Sequence, residues 1–195
     1  MTRVLVVYGS RHGATGGIAE RIGEVLRTEG LSAEVAAADR VGEMHDIDAF
    51  VVGSAVYMGS WLDEPIRFLE RNAGVLATRP LWLFSSGPLR GSTAARSQED
   101  SIEAALGPAD GPGSGGRKRV ARLEELTHPR EHRVFFGAFD PNDPPKALSE
   151  RLARMMVGPK GVLPTGDFRE WDAIEAWARE IAQGLRSPVA AGAGG

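Results

Sequence analysis

Residues 3–15 have the sequence RVLVVYGSRHGAT and specify the first unit of the fold. Their first six residues form an almost continuous apolar, β-branched run, which is typical of a strand buried on both faces of a parallel sheet. A glycine-containing loop follows, and apolar residues then recur at helical spacing from Ile18 to Leu26, before Gly30. The stretch therefore predicts a strand, a loop and a helix.

The rest of the chain repeats this alternation. Further strands are predicted over residues 33–37, 49–53, 80–85 and 134–139. Helices are predicted over residues 62–77, around Val120, Leu123 and Leu126, and from an Asp167–Glu170 capping box onward, with an apolar face formed by Ile174, Trp177, Ala178, Ile181 and Leu185. The sequence therefore predicts an α/β fold, a doubly wound five-stranded parallel sheet of order 2-1-3-4-5 with helices on both faces.

Two long segments interrupt the alternation within a single predicted domain, residues 1–186. Residues 91–116 are expected to be a flexible insertion, because GPADGPGSGG at 107–116 disfavours regular structure, although 101–106 are compatible with a helical turn. Residues 140–166 are a second excursion, with a helix predicted around Leu148, Leu152, Met155 and Met156. Residues 187–195 are expected to form a disordered tail.

Composition excludes several function classes. The 195 residues have a net charge of -3, which disfavours nucleic acid as a partner, and contain no cysteine, so any redox activity requires a bound cofactor. The four histidines lack metal-ligand spacing, so no metal is expected. No apolar run approaches the ~18 residues of a transmembrane segment and no leader is evident, so a cytoplasmic protein is expected, with peripheral membrane contact left open.

The loop after the first strand has the groups that bind a phosphate monoester. Ser10 and Thr15 supply hydroxyls, Gly13 allows the backbone to curl, and the following helix contributes its dipole. Arg11, His12 and Ala14 complete the candidate loop, in which His12 either bonds the phosphate or faces solvent. An ordinary capped turn is the alternative interpretation. This loop has neither the lysine of a nucleotide triphosphatase P-loop nor the dinucleotide G-x-G-x-x-G pattern.

The two other loops at this edge of the sheet are compatible with a flat aromatic ligand such as an isoalloxazine. The loop after the third strand is Ser54-Ala55-Val56-Tyr57-Met58-Gly59-Ser60-Trp61. Tyr57 is the first candidate for stacking and Trp61 the second, with burial of Trp61 in the core as its alternative. After the fourth strand, Ser85, Ser86 and Gly87 are predicted to let the backbone approach the ring, and Arg90 either lies near it or faces solvent.

These loops resemble the phosphate, ring and pyrimidine-side loops of flavodoxins. The sequence is most similar to the flavodoxin-domain family that contains menaquinone-dependent protoporphyrinogen oxidase, through RVLVVYGSRHGAT, DAFVVGSAVYMGSW, VFFGAF and GDFREWDAIEAWAREIA. The resemblance implies one FMN, with its phosphate at Ser10, His12, Gly13, Ala14 and Thr15. It also implies that the ring lies between Ala55, Tyr57, Met58 and Gly59 on one side and Ser85, Ser86 and Gly87 on the other.

The resemblance implies oxidation of protoporphyrinogen with a quinone as acceptor, or another flavin redox role. The chain departs from the family where an Arg- and Tyr-rich segment is usual, because residues 140–145 are DPNDPP. This departure bears on the porphyrinogen substrate and leaves the flavin expectation unchanged.

Three hypotheses of function follow from the sequence. The first is an FMN oxidoreductase that passes electrons from a reduced donor to a quinone or redox-protein partner, with flavin N5 as the reactive centre and no catalytic side chain. The second is a flavodoxin-type carrier without its own substrate, which the modest negative charge favours only slightly. The third is a flavin-free interaction module, which would not need an intact phosphate loop.

Overall fold

Strands and helices alternate along most of the chain. The structure, a computed structural model, describes residues 1–57, 59–87, 102, 105–106, 115–139 and 166–186. Its elements, numbered here in chain order, are β1 (Arg3–Gly9), α1 (Ala14–Thr28), β2 (Ser32–Ala37), β3 (Ala49–Tyr57), β4 (Ser60–Trp61), α2 (Asp63–Leu76), β5 (Leu81–Ser86), α3 (Gly115–Thr127), β6 (Glu131–Phe135), β7 (Ala138–Phe139), β8 (Gly166–Asp167) and α4 (Trp171–Arg186).

The main sheet has the predicted topology. Five parallel strands lie in the order β2-β1-β3-β5-β6, which is the expected 2-1-3-4-5 order of the principal strands. The register places Val6 of β1 beside Val35 of β2 on one side and Val51 of β3 on the other. Two short pairs add to the prediction, because β4 pairs antiparallel with the end of β3 and β7 pairs antiparallel with β8.

Two central strands extend into segments that were predicted to be loops. β3 continues to Tyr57, so Ser54, Ala55 and Val56 are strand residues. β5 likewise continues through Ser86. The reason is that the ladder between these strands persists to Ser54–Ser85 and Ala55–Ser86, where small side chains fit between the covering helices.

The fifth strand was predicted in the wrong place. It covers Glu131–Phe135 rather than residues 134–139, and Ala138–Phe139 pairs separately with Gly166–Asp167. Charged residues concealed this strand in the sequence. Arg133 nevertheless belongs there, because its guanidinium bonds the Glu131 carboxylate at 2.7 Å and lies over the Trp177 ring.

The first two helices occupy their predicted positions, and the others differ in detail. α3 begins at Gly115, inside the predicted insertion, and buries Val120, Leu123 and Thr127. Leu126, predicted on its apolar face, is 49% exposed, since at 3.6 residues per turn position 126 lies about 120° from position 120. α4 begins at Trp171 rather than at Asp167, which pairs in β8.

Some predicted segments lie wholly or largely outside the described residues. These are the helix around residues 148–156, the tail at 187–195 and most of the insertion at 91–116. Within the insertion, Ile102, Ala105 and Leu106 are helical and buried against the core.

Helices cover both faces of the sheet, as predicted. One core cluster lies beneath α2 and α3 and contains Phe50, Phe68, Leu83 and Leu123. The other lies beneath α1 and α4 and is centred on Trp177, which is fully buried. The Trp177 ring is 5.4 Å from that of Phe135, and its indole N–H donates to Glu131 at 2.7 Å.

Replacement of Trp177 by alanine is expected to lower the free energy of unfolding by about 3–5 kcal/mol, because it leaves a large cavity and removes the indole hydrogen bond to Glu131. Gln183→Ala, at an exposed position of the same helix, is the control and should change stability by less than about 0.5 kcal/mol. Urea unfolding followed by circular dichroism measures both. Equal, small losses in the two variants would contradict this account of the core.

Candidate functional site

A crevice is expected at the carboxyl edge of the sheet beside β1, where the order of the strands reverses. β1 pairs in parallel with both β2 and β3, so the connections after β1 and β3 run to opposite faces. Ligands of doubly wound sheets bind at this switch point. Residues 10–13 and the turn at 57–60 are the two described segments that meet there.

The amino terminus of α1 has no side-chain cap among the described residues. Gly13 precedes the helix with φ of 85° and therefore has the left-handed conformation that favours glycine, and it has no side chain with which to cap the helix. The Ser10 hydroxyl accepts the Gly13 N–H at 3.0 Å and so shapes the loop. Gly17 is the first residue whose N–H bonds back into the helix, to Gly13 at 2.8 Å, which leaves the preceding N–H groups directed at the edge.

This arrangement fits a phosphate. The first turn of α1 contains no acidic residue, so the positive end of the helix dipole is not neutralised from within the helix. Thr15, in this first turn, is only 1% exposed, so its hydroxyl lies at the buried side of the helix start. Backbone N–H groups, a hydroxyl and a helix dipole at one point are the donor set that binds phosphate esters.

Tyr57 joins the second segment to the first. The Arg11 guanidinium lies 5.3 Å from the centre of the Tyr57 ring, and the His12 ring lies 6.3 Å from it at an angle of 57°. The phenol is half-buried at the last position of β3. The structure therefore brings Arg11, His12 and Tyr57 together.

Gly59 shapes the turn after Tyr57, whose other predicted site residue, Met58, lies outside the described residues. The φ of Gly59 is 77°, and a Cβ there would lie 3.1 Å from the Leu106 carbonyl oxygen. Glycine is therefore required both by the conformation of the turn and by the buried segment behind it.

The remaining predicted site residues are oriented differently. The Ser54 hydroxyl donates to the Ala55 carbonyl at 2.9 Å and accepts the Leu62 N–H at 3.0 Å. Ser85 is fully buried and accepts the Trp61 indole N–H at 2.8 Å. These hydroxyls are engaged in bonds within the protein. Any contact from these two residues to a ligand would come from the backbone.

Trp61 and the buried ends of the strands belong to the core. Trp61 is 6% exposed and packs in the cluster beneath α2 and α3, so its role as a second stacking partner is not supported and the core alternative is correct. Ala55, Val56 and Ser86 are also buried, and the Gly87 N–H donates to the Phe135 carbonyl at 3.3 Å. Arg90 lies outside the described residues.

Sequence reasoning missed a polar chain that begins at Ser85. The Ser85 hydroxyl lies 2.9 Å from His132 Nε2, and His132 Nδ1 lies 2.5 Å from the Glu124 carboxylate. Burial acts to raise the pKa of Glu124, but the hydrogen bond from His132 and the interactions with Arg117 outweigh it and lower that pKa. His132 had been considered only as a metal ligand, and no local pattern links it to Ser85.

Sequence reasoning also missed a clamp on the first turn of α1, formed by Asp167, Arg169 and Trp171. The Arg169 guanidinium bonds Asp167 at 2.6 Å, lies 4.4 Å from the centre of the Trp171 ring and reaches the Ala14 carbonyl at 3.5 Å. It packs so close to Gly17 that a Cβ there would lie 2.5 Å from it. The bond from Arg169 holds the pKa of Asp167 below its usual range.

Two further properties concern the described part of the chain only. Within it, no group of three or more histidine, aspartate or glutamate side chains is arranged to bind a metal ion. None of its helices combines the length and the apolar character that a membrane span requires.

Solved structures resemble this fold over almost its whole length. Flavodoxin 1 from Bacillus cereus matches with a TM-score of 0.56 and 12% identity, covering 93% of this chain and 98% of that one. The Streptococcus pneumoniae TIGR4 flavodoxin matches with a TM-score of 0.55 and 18% identity, covering 94% and 99%. Identities this low establish the fold alone.

A larger protein also contains the fold. Rubredoxin oxygen:oxidoreductase from the anaerobe Desulfovibrio gigas matches with a TM-score of 0.57 and 16% identity, over 98% of this chain but only 38% of that protein. No curated protein sequence matches this chain.

The family that the comparison identifies is broader than the one that the sequence motifs resemble. The proteins named here do not single out the menaquinone-dependent protoporphyrinogen oxidases, and that narrower resemblance rests on the sequence motifs. Residues 5–142 match the model of the flavodoxin domain, a span that runs from within β1 to β7 and includes the phosphate-type loop and Tyr57. This chain therefore belongs to the flavodoxin domain family.

Proposed function

We propose that this protein binds one FMN at the carboxyl edge of its sheet and is an FMN-dependent oxidoreductase. The observation that carries the proposal is the amino terminus of α1, whose first N–H groups no described side chain caps, close to the half-buried ring of Tyr57. A phosphate and a flat ring joined by a short chain match these two features. FMN has both.

In this proposal the residues of the chain bind and orient the flavin. Ser10, Gly13, Ala14 and Thr15 hold the phosphate by backbone N–H groups and hydroxyls, the Arg11 side chain adds positive charge nearby, and the His12 ring offers a hydrogen bond. Tyr57 stacks on the ring, and the turn through Met58 and Gly59 borders its edge. When bound, the flavin supplies the redox chemistry at N5, and the protein has no catalytic side chain of its own.

The proposed reaction passes electrons from a reduced donor to a quinone or a protein acceptor in the cytoplasm. A protoporphyrinogen-like donor is the candidate that the sequence motifs favour. The second candidate function is a carrier without its own substrate. It is favoured by the flavodoxins that match this chain over 98% and 99% of their length, since they have no further domain.

The first prediction concerns the phosphate. Replacing both Ser10 and Thr15 by alanine should weaken FMN binding by about 10- to 150-fold, which corresponds to ~1.5–3 kcal/mol for lost bonds to a charged group, and should leave riboflavin binding unchanged. Titration of the apoprotein, followed by flavin fluorescence, measures both. Thr28→Ala is the matched control, because this hydroxyl bonds the Glu24 carbonyl at the other end of α1. Equal losses for FMN and riboflavin would argue against phosphate binding at this loop.

The second prediction concerns the ring. Tyr57→Ala should weaken FMN and riboflavin by the same factor, at least about 2- to 13-fold, because stacking contributes ~0.5–1.5 kcal/mol beyond burial. Tyr57→Phe keeps the ring and should bind both ligands nearly as the wild type does. The same titrations serve here. Wild-type affinity in the alanine variant would remove Tyr57 from the site.

Spectra and rapid kinetics test the function as a whole. The purified protein should have visible absorption bands that bleach on reduction, and a colourless protein that takes up no added FMN would favour an interaction module without flavin. Stopped-flow mixing with NADH, protoporphyrinogen and a menaquinol then separates the two redox functions. Rapid reduction by a small-molecule donor indicates an enzyme. Reduction by redox proteins alone, in two well-separated one-electron steps, indicates a carrier.

A further inference from the structure

A chain of buried polar side chains crosses the core beneath α2 and α3. It runs from the Trp61 indole N–H to the Ser85 hydroxyl at 2.8 Å, on to His132 Nε2 at 2.9 Å, and from His132 Nδ1 to Glu124 at 2.5 Å. An indole only donates and a carboxylate only accepts. A neutral imidazole with its proton on Nδ1 therefore satisfies every group, with Ser85 donating to Nε2.

The order serine, histidine, glutamate matches that of a hydrolase triad, but this chain is built differently. Ser85 is fully buried within β5, and its oxygen already accepts the Trp61 N–H. A nucleophile needs an exposed oxygen that a substrate carbonyl can reach. The chain therefore fixes positions rather than attacking a substrate.

The chain fixes the end of the turn that contains Tyr57 and Gly59. Ser85 lies directly beside Ser54 on the neighbouring strand. Ser54 bonds the Leu62 N–H while Ser85 bonds the Trp61 indole, so the two residues that follow the turn are each tied to a serine at the sheet edge. Ser85 is in turn bonded to His132 of β6, the neighbouring strand on its other side.

His132 itself has little freedom. It is 8% exposed on β6, its ring lies edge-on to that of Trp61 at 5.6 Å, and Glu124 fixes it from α3. Glu124 is in turn bonded by Arg117 at 3.4 Å on the same helix. Rotation of the imidazole would thus break the bond to Ser85 and disturb its contact with Trp61.

We infer that His132, oriented by Glu124, is a positioning residue for the turn at 57–60 and thereby for the flavin ring. The inference rests on the proposed FMN site. It separates the site into two parts, because the hydrogen bonds of the His132 chain among the described residues lead to the turn beside the ring and not to the phosphate loop. Loss of the chain is therefore expected to affect recognition of the ring and to spare recognition of the phosphate.

Two amide replacements of His132 test this, because asparagine places a polar atom near Nδ1 and glutamine places one near Nε2. His132→Asn keeps the Glu124 contact, loses the Ser85 bond, and should weaken FMN and riboflavin by the same factor, about 3- to 10-fold, as expected for one neutral hydrogen bond. His132→Gln keeps the Ser85 bond and should restore both affinities. The visible circular dichroism of saturated protein should change in the first variant and return in the second.

Two other variants guard against misfolding and nonspecific effects. Trp61→Phe preserves an aromatic ring in the core, removes the indole N–H, and should reproduce the equal loss even if His132→Asn does not fold. Glu125→Gln, at an exposed position next to Glu124, is the matched control and should bind both flavins as the wild type does. Thermal unfolding of each apoprotein reports whether it is folded.

The outcomes distinguish this inference from the proposed function. A wild-type protein that binds neither flavin would overturn the proposed function and this inference with it. If the wild type binds FMN, and folded His132→Asn and Trp61→Phe bind FMN and riboflavin as tightly as the wild type does, only the inference fails. A loss confined to FMN would also overturn it, because the chain would then act on the phosphate.

Discussion

The pairing of β1 with two parallel neighbours is the constraint on which the rest of the structure depends. Because β2 and β3 lie on either side of it, α1 returns across one face of the sheet and α2 across the other. The start of α1 and the end of β3 consequently lie at one edge with no strand between them. The proximity of Arg11 and Tyr57 is a direct result of this topology.

Most of the fold could be predicted because its signals are local. β1, β3 and β5 are apolar runs, and α1 and α4 have apolar stripes at helical spacing, so the pattern alone identifies them. β6 was displaced because Glu131 and Arg133 resemble a surface segment. Arg133 forms an ion pair with Glu131, and the Trp177 indole N–H donates to the Glu131 carboxylate. Only the folded chain reveals these contacts.

The prediction of the candidate site was less accurate for the strand ends than for the fold. Residues 10–15 were selected because a glycine between hydroxyl residues, followed by a helix, is a pattern that can bind phosphate, and their role stays a prediction. Ser54 and Ser85 were assigned to the site by residue type, but each hydroxyl is engaged inside the protein. A side chain within a strand is held by the sheet, whereas one in the following loop is free to face a ligand. The predicted ends of β3 and β5 both came too early, so these serines were assigned to loops.

At the sheet edge, serine side chains and main-chain groups have different functions. Side-chain hydroxyls at Ser54, Ser85 and Ser10 secure loops, while the groups directed at the edge from α1 are main-chain N–H groups. Main-chain donors do not depend on residue identity. The affinity of such a site therefore depends on how firmly its loops are fixed, which makes distant residues such as His132 and Arg169 relevant to it.

The clamp formed by Asp167, Arg169 and Trp171 has a consequence for folding during translation. The Ala14 carbonyl and the guanidinium that reaches it are 155 positions apart in the chain. On the ribosome, the loop before α1 is therefore made early and is braced only when the segment before α4 has emerged. The contact of Arg169 with the first turn of α1 can therefore form only late in translation, after the segment before α4 has been made.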